Sequence, residues 1–184
     1  MENRNCYIEF DIQTDKNFVD LRNTFELVKE AKNKEQPKPD EYWLAHFPEY
    51  SLKYFYFLSS DIKPPFQTAE EGEFTWHFYS LIELLQTHYA IEYVDCFKLS
   101  TNIGRLEYNP VSYPYGGITG LITFISSFNC KPTIIDDGAS VYQILFKENG
   151  DFSILDLHDP KRQDSSIKKF DGVELLRKFW NRRK

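Results

Sequence analysis

Hydrophobic and polar positions follow two periods along the chain, one typical of strands and one typical of helices. Cys6–Ile12 places apolar side chains at nearly every second position, which predicts a first strand. Between residues 16 and 33 the apolar positions recur every three or four residues, which predicts a helix that Thr14 or Asp15 can cap. A similar stripe predicts a second long helix over residues 73–89.

Two hairpins are predicted in the second half of the chain. Residues 91–99 and 103–108 are β-rich runs separated by a short turn. Residues 141–157 contain two more such runs around Asn149-Gly150, a pair that favours the positive φ angles of a tight hairpin turn. Antiparallel pairing follows, because short turns join strands that run in opposite directions.

Two further segments predict helices with different surroundings. Residues 118–128 are apolar or small and carry no charge, which is typical of a helix that is buried on most of its surface. Residues 171–184 begin with the pattern D-x-x-E and continue with an apolar stripe between basic side chains. That stripe consists of Val173, Leu176, Phe179 and Trp180.

This order of elements predicts an α+β fold in which helices pack on an antiparallel sheet. A short helix is expected over residues 40–47, and the aromatic run over residues 50–58 suits either a buried strand or a helix. We expect a single domain over residues 1–184. The loop over residues 59–72, which contains two consecutive prolines, is the best candidate for a boundary within it.

The charge of the chain is divided unevenly. The net charge is −6, yet residues 161–184 hold nine basic and three acidic side chains, which leaves −12 on residues 1–160. An acidic body repels phosphates, so we do not expect nucleic acid as a partner, whereas a basic protein would be attracted. The basic residues at the end are expected to complement the negative end of a terminal helix.

Composition narrows the classes of protein to which the chain could belong. Aromatic residues make up 17% of the chain, enough either to fill a core or to form a contact surface. The longest apolar stretch, residues 118–128, is too short to cross a bilayer, so no membrane is expected as a partner. Three widely spaced cysteines without an export signal predict reduced thiols and a cytoplasmic location. His46, His77 and His88 are scattered and are expected at the surface or at the edge of the core.

One candidate binding segment lies just before the apolar helix. It contains Tyr113, Tyr115, Gly116 and Gly117. Glycines at a helix start allow a partner to approach the free backbone N–H groups, and the tyrosines could contact that partner. The alternative is a tight turn into a buried helix, with the glycines serving backbone geometry alone.

One candidate catalytic group lies at strand ends. Asp136 and Asp137 follow an apolar run, and Asp156 and His158 close the second predicted hairpin. Carboxylates and an imidazole that converge could hold a divalent metal or share a proton. Each of these pairs is equally typical of a turn, in which an aspartate accepts backbone hydrogen bonds.

Two functions remain open at this point. The absence of phosphate-loop, dinucleotide and zinc motifs from the sequence, together with the acidic body, favours a binding protein without a cofactor. In composition alone the chain resembles bacterial immunity proteins, which implies a cytoplasmic module that binds a basic toxin-like partner. The alternative is a metal-assisted hydrolase that uses Asp136, Asp137, Asp156 and His158.

Overall fold

The computed structural model describes residues 5–72, 75–87, 91–111, 116–146 and 152–157. These residues form six strands and five helices in one α+β arrangement. The strands are β1 (Cys6–Ile12), β2 (Ile91–Lys98), β3 (Ile103–Pro110), β4 (Cys130–Asp136), β5 (Val141–Phe146) and β6 (Phe152–Asp156). The helices are α1 (Asp15–Asn33), α2 (Asp40–His46), α3 (Glu49–Leu52), α4 (Phe78–Thr87) and α5 (Gly116–Ser127).

The six strands form one sheet in the order β2-β3-β1-β4-β5-β6, and every pair of neighbours is antiparallel. The predicted α+β class with an antiparallel sheet is therefore confirmed. Both predicted hairpins are present, as the pairs β2–β3 and β5–β6. The expected turn at Asn149-Gly150 lies outside the described residues.

The core lies between one face of the sheet and the helices. On this inner face Ile8 of β1 pairs with Leu106 on one side and Ile135 on the other, and all three are buried. Helix α1 packs onto the same face, with the ring of Phe18 stacked 6.5 Å from that of Phe10. Thr14 caps α1 by accepting the backbone N–H of residue 17 at 3.2 Å, as the sequence predicts.

Helix α5 confirms the prediction of a small, apolar, buried helix. Five consecutive residues, 121–125, are buried in it. Its small side lies against α4, because a Cβ added at Gly120 would come within 2.6 Å of Leu84 Cδ2. The small residue thus lets the two helices approach closely.

The predicted helix over residues 73–89 begins later than its apolar stripe suggests. Helix α4 starts at Phe78, and residues 73, 74 and 88–90 lie outside the described part of the chain. The backbone before it is held extended, since Tyr56 N–H donates to Trp76 O at 3.1 Å and Phe78 N–H donates to Tyr56 O at 3.2 Å. Pairing with a distant residue overrides the local helical pattern here.

The aromatic run over residues 50–58 is neither one strand nor one helix. Helix α3 covers its start and ends at Leu52, and Tyr56 forms the isolated bridge to His77. Further along, Phe66 packs against the core from within the loop over residues 59–72. The single domain over residues 1–184 stays a prediction, and the predicted helix over residues 171–184 lies outside the described residues.

No helix among the described residues combines the length and the apolar character needed to cross a membrane. All three cysteines, Cys6, Cys96 and Cys130, are free and buried. Burial raises the pKa of the Cys6 thiol from 9.0 to about 11, with the charges of Asp136 and Asp137 adding to the shift. Burial likewise raises the pKa of Cys130 to about 12. Burial and the raised pKa values both disfavour the reactive thiolate in the folded chain.

This chemistry predicts a protected set of thiols. At pH 8 iodoacetamide should alkylate the native chain slowly at all three cysteines, and the denatured chain rapidly at all three. Because the folded state holds the Cys6 proton more tightly than the unfolded state, its contribution to stability is complete below about pH 9 and is lost as pH rises towards 11. Mass spectrometry reads the labelling, and rapid native labelling of any cysteine would contradict the burial.

Candidate functional site

The two strand-end carboxylates after β4 serve the turn that leads to β5. Asp136 Oδ1 accepts the backbone N–H of Gly138 at 2.9 Å. Asp137 Oδ1 accepts two backbone N–H groups, from Ala139 and Ser140, both at 2.9 Å. Gly138 has a φ of +86°, which only glycine adopts readily. The local geometry is that of an aspartate-stabilised turn.

The register of the sheet separates Asp136 from Asp156. Asp136 pairs with Val141, whereas Asp156 pairs with Tyr142, the next residue along β5. Neighbouring residues of a strand point to opposite faces, so the two carboxylates lie on opposite sides of the sheet and two strands apart. His158 lies outside the described residues, and among those that are described no three His, Cys, Asp or Glu side chains could together hold a metal ion.

The predicted binding segment is described only in part. Tyr113 and Tyr115 lie outside the described residues, and Gly116 and Gly117 are the first two residues of α5. Their proposed role in contacting a partner stays a prediction.

A different region concentrates both acidic charge and aromatic rings. Residues 40–83 hold eight acidic and two basic side chains, a net charge of −6, and 13 of the 31 aromatic residues of the chain. This segment runs from α2 through α3 and a long loop into α4. Most of its rings pack inward, among them Trp43, Phe47, Phe55 and Phe78, all buried. The described acidic side chains of this segment therefore lie next to a packed layer of aromatic rings.

Asp61 fixes the loop that precedes α4. Its Oδ2 atom accepts the backbone N–H of Leu58 at 2.6 Å, while its own N–H donates to Leu58 O at 3.2 Å. The same Oδ2 accepts Nε2 of His77 at 2.7 Å, and both side chains are mostly buried. One carboxylate oxygen thus closes the turn and ties it to the helix start.

His77 occupies the capping position of α4. Its Nδ1 accepts the backbone N–H of Ser80 at 3.3 Å and lies 2.8 Å from Ser80 Oγ. An Nδ1 that accepts a backbone N–H carries no proton, so the Ser80 hydroxyl donates to it and Nε2–H donates to Asp61. The neutral Nε2–H tautomer is therefore the one that satisfies every contact.

An Asp–His–Ser chain is also the arrangement that activates a serine nucleophile. Here Ser80 lies three residues after His77 on the first helical turn, and both its backbone N–H and its hydroxyl bond to His77 Nδ1, so the histidine side chain caps the helix. The nearby charges of Asp40 and Glu41 would oppose negative charge developing on a substrate oxygen. We assign the chain Asp61–His77–Ser80 to positioning the loop.

The pKa values of two further groups are raised by burial and by the negative charges around the start of α4. The pKa of the Asp40 carboxyl is raised, first by burial and then by the charges of Glu41 and Asp61. The pKa of Tyr79 is raised to about 12, first by burial and then by Asp40, Asp61 and Glu41. Tyr79 therefore keeps its proton, and its hydroxyl donates to the backbone oxygen of Ile62 at 2.7 Å.

The tied loop exposes apolar side chains within this negative field. Leu58 is 43% exposed and Ile62 is 48% exposed. Phe57, immediately before Leu58, anchors the loop to the core, with its ring 5.4 Å from that of Phe78. We call the resulting patch the acidic loop surface. Its residues are Asp40, Glu41, Leu58, Asp61, Ile62 and Tyr79.

Sequence reasoning missed the residues of this surface. The sequence pattern places His77 within a longer helix, and Asp61 lies 16 positions before it, so no local motif joins the two. The available signal was the coincidence of charge and aromatic content over residues 40–83.

Comparisons with known proteins identify no relative of this chain. No protein-family model matches the chain, and neither curated proteins nor solved structures give a match.

Proposed function

We propose that the chain is a cytoplasmic binding module that takes a basic protein partner on the acidic loop surface. It performs no chemistry of its own in this role, in the manner of an immunity protein that occupies a toxin. The observation that carries the proposal is a loop fixed by hydrogen bonds that nevertheless exposes Leu58 and Ile62 beside Asp61.

Fixation of the loop favours binding because the entropy of ordering it is already lost in the free chain. The turn at Asp61, the Tyr79 hydrogen bond and the bridge between Tyr56 and His77 hold its backbone at three points. Each flexible side chain that must be ordered on binding costs about 0.5–1.5 kcal/mol, so a preformed surface keeps more of its contact energy.

The charges and the apolar side chains have different tasks. Carboxylates at the rim draw a cationic partner towards the surface and raise the association rate, an effect that salt screens. Leu58 and Ile62 supply the apolar contacts that hold the complex together, since truncation of central interface residues typically costs more than truncation of rim charges. The preferred partner therefore presents Lys or Arg around an apolar centre.

Paired substitutions test the apolar part of the surface. A short peptide of alternating lysine and leucine serves as the probe, and its affinity is measured by isothermal titration calorimetry. The variant Leu58→Ser with Ile62→Ser should bind at least about tenfold more weakly, equivalent to about 1.4 kcal/mol. The control Val19→Ser with Val111→Ser removes two apolar side chains elsewhere that are more exposed than Leu58 and Ile62, and it should bind like the native chain.

Salt provides the second readout of the same prediction. Between about 0.1 M and about 1 M salt the Debye length falls from about 10 Å to about 3 Å, so the affinity should fall while the loop variant keeps its relative weakness. Equal affinity of the loop variant and the control variant would overturn the proposal. The same would follow if a peptide of alternating glutamate and leucine bound as tightly as the cationic one.

A further inference from the structure

The sheet has a second face, and its composition differs from that of the core face. Alternation places one row of side chains across all six strands on this side. The row runs through Phe97, Arg105, Glu9, Ile134, Gln143 and Leu155. Within the described part of the chain the helices pack on the other face, so we call this side the open face.

The centre of the open face is more enclosed than an ordinary wet surface. Tyr7 is only 7% exposed, although it lies on this side. The Arg105 guanidinium lies 4.1 Å from the centre of the Tyr7 ring and pairs with Glu9 at 2.5 Å. Arg105 Nε is buried and finds no hydrogen-bond partner among the residues that the structure describes. A group of this kind is expected beneath a covering layer rather than in open solvent.

The open face is acidic with an apolar rim. The register places six carboxylates on it and two cations, Arg105 and Lys131. The carboxylates are Glu9, Asp11, Glu92, Asp95, Glu107 and Asp136. At its two edges four large apolar side chains are exposed, namely Leu99, Ile103, Leu145 and Leu157. A basic segment with an apolar stripe would satisfy both features.

We propose that the C-terminal segment of this same chain, residues 158–184, docks across the open face. It follows directly after Leu157 beside the edge strand β6, and its last 24 residues carry a net charge of +6 against the acidic face. Its predicted helical part, residues 171–184, carries the apolar stripe that ends at Phe179 and Trp180. Charge and apolar pattern both match what the face presents.

The dimensions agree with this placement. A helix of 14 residues is about 21 Å long, and six strands about 4.8 Å apart span about 24 Å between the edges. The 13 residues from 158 to 170 reach at most about 43 Å when extended, enough to bring the helix back over the centre of the sheet. The chain thus carries a segment of suitable length beside the face that it would cover.

Cross-linking in the full-length chain tests the proposal. The variant Gln143→Cys with Lys178→Cys places one thiol on β5 in the open face and one beside the stripe, while the native cysteines are buried. A short bis-maleimide should join these two positions within one chain. The matched control, Val19→Cys with Lys178→Cys, places the first thiol on exposed α1 and should cross-link at least about fivefold less.

A second measurement keeps the outcome independent of folding. Adding Phe179→Ala and Trp180→Ala to the Gln143 pair should abolish the internal cross-link and speed maleimide labelling at position 143 several-fold. Cross-links between two chains at position 143 would show that a second copy covers the face instead, and would overturn the proposal. Equal internal cross-linking in the Gln143 and Val19 pairs would overturn it as well.

Discussion

Replacing Trp43 with alanine is expected to destabilise the chain by about 3–5 kcal/mol, the usual result of removing a large ring from a packed core. Trp43 in α2 has no exposed surface. Its ring packs edge to face against two others, with ring centroids 5.2 Å from Tyr42 and 6.3 Å from Phe47. Phe47 in turn contacts Phe78 of α4. Loss of this ring removes the base on which the acidic loop surface rests.

The variant Trp43→Phe separates packing from hydrogen bonding. Trp43 Nε1 is buried and has no hydrogen-bond partner within the described part of the chain, so removal of the indole N–H relieves an unsatisfied donor while part of the volume is lost. We expect a change below about 1.5 kcal/mol for this conservative exchange. Urea denaturation followed by circular dichroism measures both variants. A Trp43→Phe variant as unstable as Trp43→Ala would indicate that the N–H is paired in solution.

Gly104→Ala is expected to produce the second large effect. Gly104 of β3 lies opposite Phe10 of β1, and an added Cβ would fall 2.3 Å from Cε2 and 2.4 Å from Cζ of the Phe10 ring. Phe10 is fully buried and stacks on Phe18, so a shift of its ring would disturb the packed core. Overpacking of this kind typically destabilises by about 1–3 kcal/mol.

A double-mutant cycle identifies the clash as the cause. Phe10→Leu removes the ring edge that an alanine at position 104 would strike. The two substitutions together should therefore destabilise less than the sum of the two alone, by about 0.5–3 kcal/mol, as expected for residues in contact. Additive effects in thermal and urea unfolding would show that the ring moves aside freely, and the clash would then explain nothing.

The fold could be predicted from the sequence wherever period and turn chemistry agree. The stripe of α1 with its Thr14 cap, the alternation of β1 and both hairpins are all local signals. The start of α4 could not be predicted in this way. Its apolar stripe continues towards the N-terminus beyond Phe78, but there His77 forms a bridge with Tyr56, 21 positions earlier in the chain. Local helix propensity carries no information about that bridge.

The candidate site was harder to predict from the sequence for the same physical reason. Asp61 looks like a turn residue, and it is one, since it accepts the N–H of Leu58. Its second role depends on His77, which becomes the helix cap only because the helix starts late. By contrast, the turn interpretation of Asp136 and Asp137 was open to sequence reasoning, because an aspartate beside a glycine forms this turn with its immediate neighbours.

The two proposed contact surfaces lie on different layers of the molecule. The acidic loop surface belongs to the helical layer, where α2 and α4 meet the loop that contains Ile62. The open face belongs to the far side of the sheet. Because both are acidic, a basic C-terminal segment held on the open face would leave the loop surface free for a partner. The cross-link and the partner titration therefore report on independent parts of the chain.

Chemical-shift mapping tests the central proposal most directly. The uniformly 15N-labelled chain is titrated with the peptide of alternating lysine and leucine, and the amide shifts are followed residue by residue. The largest shifts should fall at Asp40 and Glu41, over residues 56–62, and over residues 77–83 at the start of α4, with little change at Val19 in α1. Largest shifts on β1, β3 and β5, or a uniform spread over the chain, would contradict the assignment of the binding site.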